Sequence, residues 1–312
     1  MNTLILSHRD CLAHDMGPGH PERPDRVRVI ERILEHERFQ TLVREAAPLG
    51  TREQILRVHP EAHLRLLEES VPHQGLTHLD GDTSLSPGTL DAAFRSVGGA
   101  CQAVDEVMAR KVDNAFVATR PPGHHAETAT AMGFCFFNNA AIAARHARAV
   151  HGAERVAIMD FDVHHGNGTQ DIFWNDPNVL YASTHEMPLY PGTGALNETG
   201  EHNNIVNAPL SAGDDGVNFK QAMNTRILPA LESFSPDLII ISAGFDAHAR
   251  DPLANINLVE SDFAWATGKL MDLAEKKCGG RILSLLEGGY DLEGLARSVA
   301  AHVMMLSGMN SR

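Results

Sequence analysis

The chain has 312 residues, 40 acidic and 26 basic side chains, and a net charge of −14. An acidic balance argues against a nucleic-acid-binding surface, which needs a basic stripe, but is compatible with a cationic substrate. The longest apolar runs are well short of the roughly 20 residues that a membrane span needs. The N-terminal MNTLILSHRD lacks the features of a signal peptide, and four scattered cysteines favour reduced thiols, so we expect a cytoplasmic protein without a membrane segment.

Short apolar runs recur along the chain and predict buried strands at 3–7, 114–119, 155–159, 178–183, 237–244 and 281–287. Between several of them lie helix-like stretches, at 89–110, 138–151, 217–234 and 260–277. Strands without polar alternation that are separated by helices indicate an α/β fold, with a parallel sheet covered on both faces. No Pro/Gly/Ser-rich linker divides the sequence, so we expect a single domain over residues 1–312.

Polar, Gly-rich segments come directly after five of these strands. They read, in chain order, RPPGHHAE, DFDVHHGNGT, THE, GFDAHARDP and GGYD. In open α/β sheets, sites form beyond the carboxyl ends of the strands. We therefore expect the five segments to meet at one edge of the sheet.

The segment DFDVHHGNGT indicates a metal site. Residues two apart in extended chain point the same way, so Asp160, Asp162 and His164 would share one face. Asp246, after an apolar strand, is the best third ligand; the less favoured alternative is that it caps a helix. Two carboxylates, one imidazole and an open position are typical of catalytic zinc, and mononuclear Fe²⁺ would also suit them.

Three further residues could act on a substrate at such a metal. His124 and His125 follow a rigid Arg-Pro-Pro-Gly turn, and imidazoles near neutral pKa suit proton transfer. Tyr290 follows two glycines and could donate a hydrogen bond to an oxyanion, although Gly-Gly-Tyr is also an ordinary turn. Together these residues are typical of amide hydrolysis at one metal. No Gly-x-Ser-x-Gly motif competes.

The sequence resembles the metal-dependent histone deacetylase family, in particular its bacterial amidohydrolase and acetylpolyamine amidohydrolase branch. The resemblance rests on motifs that span nearly the whole chain: GHPERPDR (19–26), RPPGHHAE (120–127), GFCFFNN (133–139), DFDVHHGNGTQ (160–170), YPGTG (190–194), SAGFDAHARDP (242–252) and LEGGYD (286–291). It implies the arginase/deacetylase fold, with a parallel sheet of about eight strands between helices. It also implies zinc on Asp162, His164 and Asp246.

The same resemblance implies roles for other residues. His125 would be the general base and acid, His124 its electrostatic partner, and Tyr290 the group that polarises the acetyl carbonyl. A structural monovalent cation, K⁺ in the family, would lie near Asp160, Asp162, His164, Ser183 and Thr184. A second cation would use backbone carbonyls near Phe173, Asp176 and Val179.

Asn167 stands where some relatives have an aspartate bonded to the second histidine. A neutral amide would not raise the pKa of His125, which favours a neutral base. Arg26 matches the basic residue beside the inner product channel, and Asp160 would hydrogen-bond His124. The substrate tunnel would be lined by Gly133, Phe134, Tyr190 and Leu253.

The substrate expected from the resemblance is acetyl-lysine in a protein or peptide, or a small acetylpolyamine. The apolar Leu253 favours acetyl-lysine or a short acetylated diamine, whereas the acidic net charge favours a small cation. An exclusive acetylpolyamine deacetylase, an arginase-like enzyme with two Mn²⁺ ions and a non-enzymatic sensor are the alternatives. A site for two manganese ions needs additional aspartates. The residues after Asp162 are Val, His and His, so the second ion would lack ligands. The sequence leaves open whether the chain is a monomer or a homodimer.

Overall fold

The structure, a computed structural model, describes residues 1–309. Its strands within this range are β1 Thr3–Ser7, β2 Val43–Ala46, β3 Thr77–His78, β4 Ser84–Leu85, β5 Asn114–Val117, β6 Val156–Asp160, β7 Val179–Glu186, β8 Ile205–Leu210, β9 Leu238–Ala243 and β10 Ile282–Leu286. All six strands expected from apolar runs are present. The short β2 and the more polar β8 were not expected as strands.

The α-helices are α1 Asp25–Leu34, α2 Arg52–Leu56, α3 Glu61–Ser70, α4 Thr89–Met108, α5 Asn139–His151, α6 Asn167–Phe173, α7 Gly216–Ala222, α8 Leu228–Phe234, α9 Glu260–Cys278 and α10 Leu292–Leu306. A π-helical turn, Met223–Ile227, joins α7 to α8. The helix expected over 217–234 is therefore a continuous helical segment whose middle turn is π-helical. No helix within residues 1–309 is both long and apolar enough to cross a membrane.

Eight strands form one sheet in the order β2-β1-β5-β10-β9-β6-β7-β8, and every neighbouring pair is parallel. Strands β3 and β4 form a separate antiparallel hairpin. The α/β class and the parallel eight-stranded sheet predicted from the sequence are therefore confirmed.

Both faces of the sheet are buried, as the apolar strands predict. In the central strand β9, Ile239 and Ile241 belong to the apolar cluster that includes α9 and α10. Leu238 and Ile240 point the other way, into the cluster that includes α4 and α5. All four side chains are fully buried, and each such burial contributes about 1.5–3 kcal/mol to folding. This two-sided burial is why the strand has no polar alternation.

The polar segments that follow the strands meet at the carboxyl edge of the sheet. Strands β5, β10, β9, β6 and β7 are consecutive neighbours, and each of the five polar segments follows or ends one of them. Because parallel strands end at the same edge, segments more than 150 residues apart in sequence form one surface there.

Candidate active site

Asp162, His164 and Asp246 lie together, with one potential ligand atom from each within 4.8 Å of the others. Nδ1 of His164 is 3.3 Å from Oδ1 of Asp162 and 3.1 Å from Oδ2 of Asp246. The two aspartates are at most 1% exposed and His164 is 8% exposed. The structure thus brings the three expected ligands to one buried point. Asp246 lies three residues beyond the end of β9, in the following loop.

Backbone amides hold the carboxylates of this triad in place. Val163 N donates to Oδ1 of Asp246 at 2.8 Å, and Gly288 N donates to Oδ2 of Asp162 at 2.8 Å. In each aspartate the other oxygen therefore faces His164. Phe161 and Val163 pack into the core, as the sequence alternation predicts, although residues 162–164 form a bend after β6 rather than a strand.

The charges of the triad fit a divalent cation. Burial and the neighbouring carboxylate of Asp162 raise the pKa of Asp246 to about 7. Burial lowers the pKa of His164, but both carboxylates outweigh it and raise that pKa to about 10. Two buried carboxylates this close cannot both stay ionised without a positive partner. A metal ion is the partner that would also leave His164 neutral and free to ligate.

The surroundings of His124 favour its protonated form. Its Nδ1 is 2.9 Å from Oδ2 of Asp160, which also accepts the hydroxyl of Tyr181 at 3.0 Å. Burial lowers the pKa of His124, but the charges of Asp162 and Asp160 raise it well above its ordinary value. Because an imidazolium has no lone pair, His124 in this state donates protons and accepts none.

The surroundings of His125 favour a neutral ring in one tautomer. Its Nδ1 lies 2.8 Å from Oδ1 of Asn167, and Nδ2 of that amide donates to Glu127 at 2.8 Å. The bond to Glu127 fixes the amide, so Nδ1 of His125 carries the hydrogen and Nε2 keeps its lone pair. Burial, together with nearby His124 and His164, lowers the pKa of His125 well below its ordinary value.

Tyr290 sits over a buried arginine. The guanidinium carbon of Arg26 lies 4.9 Å from the centre of the Tyr290 ring, and Nε of Arg26 donates to the carbonyl of Gly289 at 2.7 Å. Arg26 also donates to the carbonyl of Glu287 and to the carboxylate of Glu22. Burial raises the pKa of Tyr290 well above its usual value, so its hydroxyl stays protonated at neutral pH.

A cavity of about 230 Å³ opens onto these groups, lined by Asp82, His125, Gly133, Phe134, His164, Leu189, Tyr190, Leu253 and Tyr290. All four residues expected to line the substrate tunnel are among them. Tyr190 is 40% exposed and its ring is 5.2 Å from that of His125. A Cβ at Gly133 would lie 2.6 Å from the His125 ring, so a side chain there would displace the imidazole.

The residues expected around the first monovalent cation are also close together. Asp160 and Ser183 are paired in register between β6 and β7, and both are fully buried. The hydroxyl of Ser183 is 2.8 Å from Nδ1 of His185. Thr184 points to the other face of the sheet, beside Phe161, so only its backbone carbonyl could serve the same site.

Three residues at the site, Asp82, Glu287 and Tyr181, were not predicted from the sequence. Asp82 lies in the turn between β3 and β4 and lines the cavity, although no apolar run precedes it in the sequence. The buried carboxylate of Glu287 accepts the backbone amides of Gly123, at 2.7 Å, and His124, at 3.1 Å. Glu287 lies in the LEGGYD motif, where its charged side chain after an apolar strand was a usable signal. Tyr181 had none, because it lies within an apolar strand.

A second cluster with metal-ligand chemistry, Asp105, His146 and His151, lies between α4 and α5. Arg57 donates to Nδ1 of His146 at 2.6 Å, which requires the lone pair of that nitrogen. Nε2 of His146 therefore carries the hydrogen and donates to Asp105 at 2.8 Å. A protonated nitrogen cannot ligate, so this cluster is a hydrogen-bonded network rather than a metal site.

The family described as "Histone deacetylase domain" matches residues 20–306. A "Probable deacetylase" of Archaeoglobus fulgidus is 40% identical over 303 residues, covering 94% of this chain and 83% of the relative. A "Histone deacetylase-like amidohydrolase" of Pseudomonas aeruginosa is 39% identical, covering 96% and 85%. The crystal structure of the HDA15 HD domain superposes with a TM-score of 0.93 at 36% identity, covering 98% of this chain and 88% of that chain.

These likenesses extend over nearly all of the chain and include both the eight-stranded sheet and its carboxyl edge. The superposed fold is the arginase/deacetylase fold that the sequence motifs implied. The chain belongs to the histone deacetylase family.

Proposed function

We propose that this protein is a zinc-dependent hydrolase that removes acetyl groups from amines and releases acetate. The observation that carries the proposal is the buried triad of Asp162, His164 and Asp246 at the base of a cavity that His125 and Tyr290 also line. Two carboxylates and one imidazole with an open position are typical of catalytic zinc, and Fe²⁺ is the alternative ion.

When bound, the metal polarises the amide carbonyl and makes water at the site more acidic. The protein supplies the proton transfers. His125 has its lone pair on Nε2, so it accepts the proton of the attacking water and later delivers it to the departing amine. The adjacent His124, with its ring centre 4.0 Å from that of His125, stabilises developing negative charge as a cation.

Tyr290 completes the reaction geometry. Its hydroxyl is protonated and its residue lines the cavity, so it donates a hydrogen bond to the oxyanion that forms when water attacks. Arg26 fixes the peptide before Tyr290 through the carbonyl of Gly289. A donor held in place before the reaction stabilises the transition state without further reorganisation.

For the substrate, we propose acetyl-lysine or a short acetylated diamine. The walls from Phe134, Leu189 and Leu253 suit a methylene chain, whereas Asp82 places a carboxylate among the lining residues. A carboxylate can accept either a peptide N–H or the free ammonium of a diamine. The cavity therefore fits a neutral acetamide followed by a methylene chain and then a donor or a positive charge.

Acetate release from one enzyme preparation tests the proposal. The substrates are an acetyl-lysine peptide, acetylputrescine, acetylcadaverine and acetylspermidine, each with metal-depleted protein and after Zn²⁺ or Fe²⁺ is restored. We expect turnover only with metal, and higher kcat/KM for the peptide or the short diamines than for acetylspermidine. Turnover by metal-free protein would contradict the mechanism, and a preference for acetylspermidine would contradict the substrate assignment.

We also propose that one monovalent cation, K⁺ in the family, lies beside Asp160 and Ser183. The fully buried Asp160 carboxylate next to Asp162 supports this proposal, because a cation would offset their repulsion.

A further inference from the structure

Three backbone carbonyls converge near the start of β7, those of Phe173, Asp176 and Val179. They are the carbonyls expected to hold a second monovalent cation. In this chain, the side chain of Asn204 is directed among them. Its Nδ2 donates to the carbonyls of Phe173 at 2.7 Å, Asp176 at 3.1 Å and Val179 at 3.1 Å. We propose that the amide of Asn204 takes the place of this second cation.

The carbonyls need a positive partner, because buried C=O groups that converge without one repel each other. Two of the three also accept a turn hydrogen bond, from Asp176 N to Phe173 at 3.1 Å and from Val179 N to Asp176 at 3.3 Å. Their remaining lone pairs face Asn204. Two amide hydrogens distributed over three oxygens satisfy these lone pairs without the cost of burying an ion.

Asn204 is buried, and its backbone is fixed beside β7. Asn204 is 3% exposed, and its own carbonyl accepts Tyr181 N at 2.9 Å, which ties its backbone to β7. Its Oδ1 is buried and accepts no hydrogen bond from residues 1–309. Nδ2 of Asn204 therefore donates to the carbonyls while Oδ1 has no partner, and leaving that buried oxygen without a hydrogen bond costs free energy.

Glycine at position 200 makes room for this arrangement. Gly200 has φ +71°, and a Cβ there would lie 2.5 Å from Oδ1 of Asn204. Any other residue at 200 would force the amide to move.

Nearby charge also disfavours an additional cation. Arg145 and Arg148 both donate to the carboxylate of Asp176, and the Arg145 guanidinium carbon lies 5.1 Å from the centre of the Phe173 ring. Two positive charges therefore already lie beside residues that supply two of the three carbonyls. Both guanidinium groups share the Asp176 carboxylate, so this carboxylate is not free to pair with an additional cation.

Ion location in the wild-type protein tests the proposal without any substitution. Crystals soaked in thallium(I) or rubidium salts would report monovalent cations by anomalous scattering. We expect no peak among the carbonyl oxygens of Phe173, Asp176 and Val179. A peak coordinated by these three oxygens in wild-type protein would overturn the proposal.

A second experiment measures how thermal stability depends on the cation. Tm is compared in potassium chloride and tetramethylammonium chloride at equal ionic strength, for wild type, Asn204→Ala and Asn175→Ala. Asn175 lies on the same turn and is exposed, so it is the matched control. Asn204→Ala exposes the carbonyls to K⁺, and its Tm should rise on adding K⁺ by several degrees more than the Tm of wild type.

Asn175→Ala should respond to K⁺ as wild type does. An equal K⁺ response in Asn204→Ala and wild type would contradict the view that the amide closes a cation site. If Asn204→Ala does not fold, the anomalous peaks of the wild-type crystals decide. Neither readout depends on deacetylase activity, so the inference can fail while the proposed function stands.

Discussion

The Nδ1 atom of His125 lies 2.8 Å from the amide oxygen of Asn167. The adjacent His124 instead faces the carboxylate of Asp160 at 2.9 Å. Asn167 has no charge to offset burial, so burial and the neighbouring His124 and His164 lower the pKa of His125. Burial also lowers the pKa of His124, but the charges of Asp162 and Asp160 outweigh it and raise that pKa. These shifts favour opposite protonation states in the two neighbouring imidazoles, which suits the proposed base and its proposed cationic partner.

Asn167→Asp tests this difference through pH. Wild-type His125 has a lowered pKa, so it stays neutral and active as pH falls below its ordinary pKa of about 6.5. A carboxylate at 167 would raise that pKa, so activity should be lost at a higher pH on acidification. The measurement is kcat/KM against pH, with exposed Asn175→Asp as the control for added charge. If kcat/KM of Asn167→Asp fell at the same acidic pH as that of wild type, His125 would not be the titrating base.

His125→Ala should reduce kcat more than His124→Ala. Loss of a general base typically costs about 10²–10⁴-fold in rate, whereas His124 acts only through its charge. Both variants should keep their zinc, measured by metal analysis, because neither residue belongs to the triad. If His124→Ala were the more damaging with fold and zinc intact, the two roles would be exchanged.

Alanine at Asp162, His164 or Asp246 should abolish activity and lower zinc content below one ion per chain. With three protein ligands there is no spare donor. The matched control is Asp105→Ala, which removes a carboxylate from the hydrogen-bonded cluster with His146 and His151. That variant should keep one zinc. Loss of an ion in the control, or normal zinc and activity in a triad variant, would contradict the assignment.

Tyr290→Phe keeps the ring over Arg26 and removes only the hydroxyl. The oxyanion exists only after water attacks, so kcat should fall much more than KM rises. One such donor typically contributes roughly 2.7–4 kcal/mol, so we expect kcat to fall by about two orders of magnitude. Folding, zinc content and hydroxamate binding should stay near normal. A kcat within a few-fold of wild type would leave carbonyl activation to the metal alone.

Asp82→Asn should weaken substrate binding without slowing the chemical step. A partly exposed charge pair contributes about 0.2–1 kcal/mol, so KM for acetylputrescine should rise about 1.5–5-fold while kcat is kept. Asp272→Asn is the charge-matched control, because Asp272 is exposed beside the residues that begin β5 and β10, at the opposite edge of the sheet. Equal KM changes in both variants would mean that only net charge matters.

The sequence alone identifies the layers of this protein and the chemistry at one sheet edge. The apolar run Thr3–Ser7 predicts a strand at its observed bounds, and the other five runs predict strands to within three residues, because burial on both faces excludes polar alternation. The spacing of Asp162 and His164 predicts that they share one face, because residues two apart in extended chain point the same way. The weak strand signals are Val43–Ala46, which is mostly exposed, and Ile205–Leu210, which contains Asn and Pro.

The tertiary structure decides how each polar group is partnered. Asn167 reaches His125 and Asn204 reaches Phe173 only because distant segments meet at the ends of parallel strands. A pKa depends on burial and on charges a few ångströms away, and those distances are not encoded in local spacing. Sequence motifs therefore predict which residues form the site, whereas packing determines which histidine is charged and whether an amide or an ion satisfies a set of carbonyls.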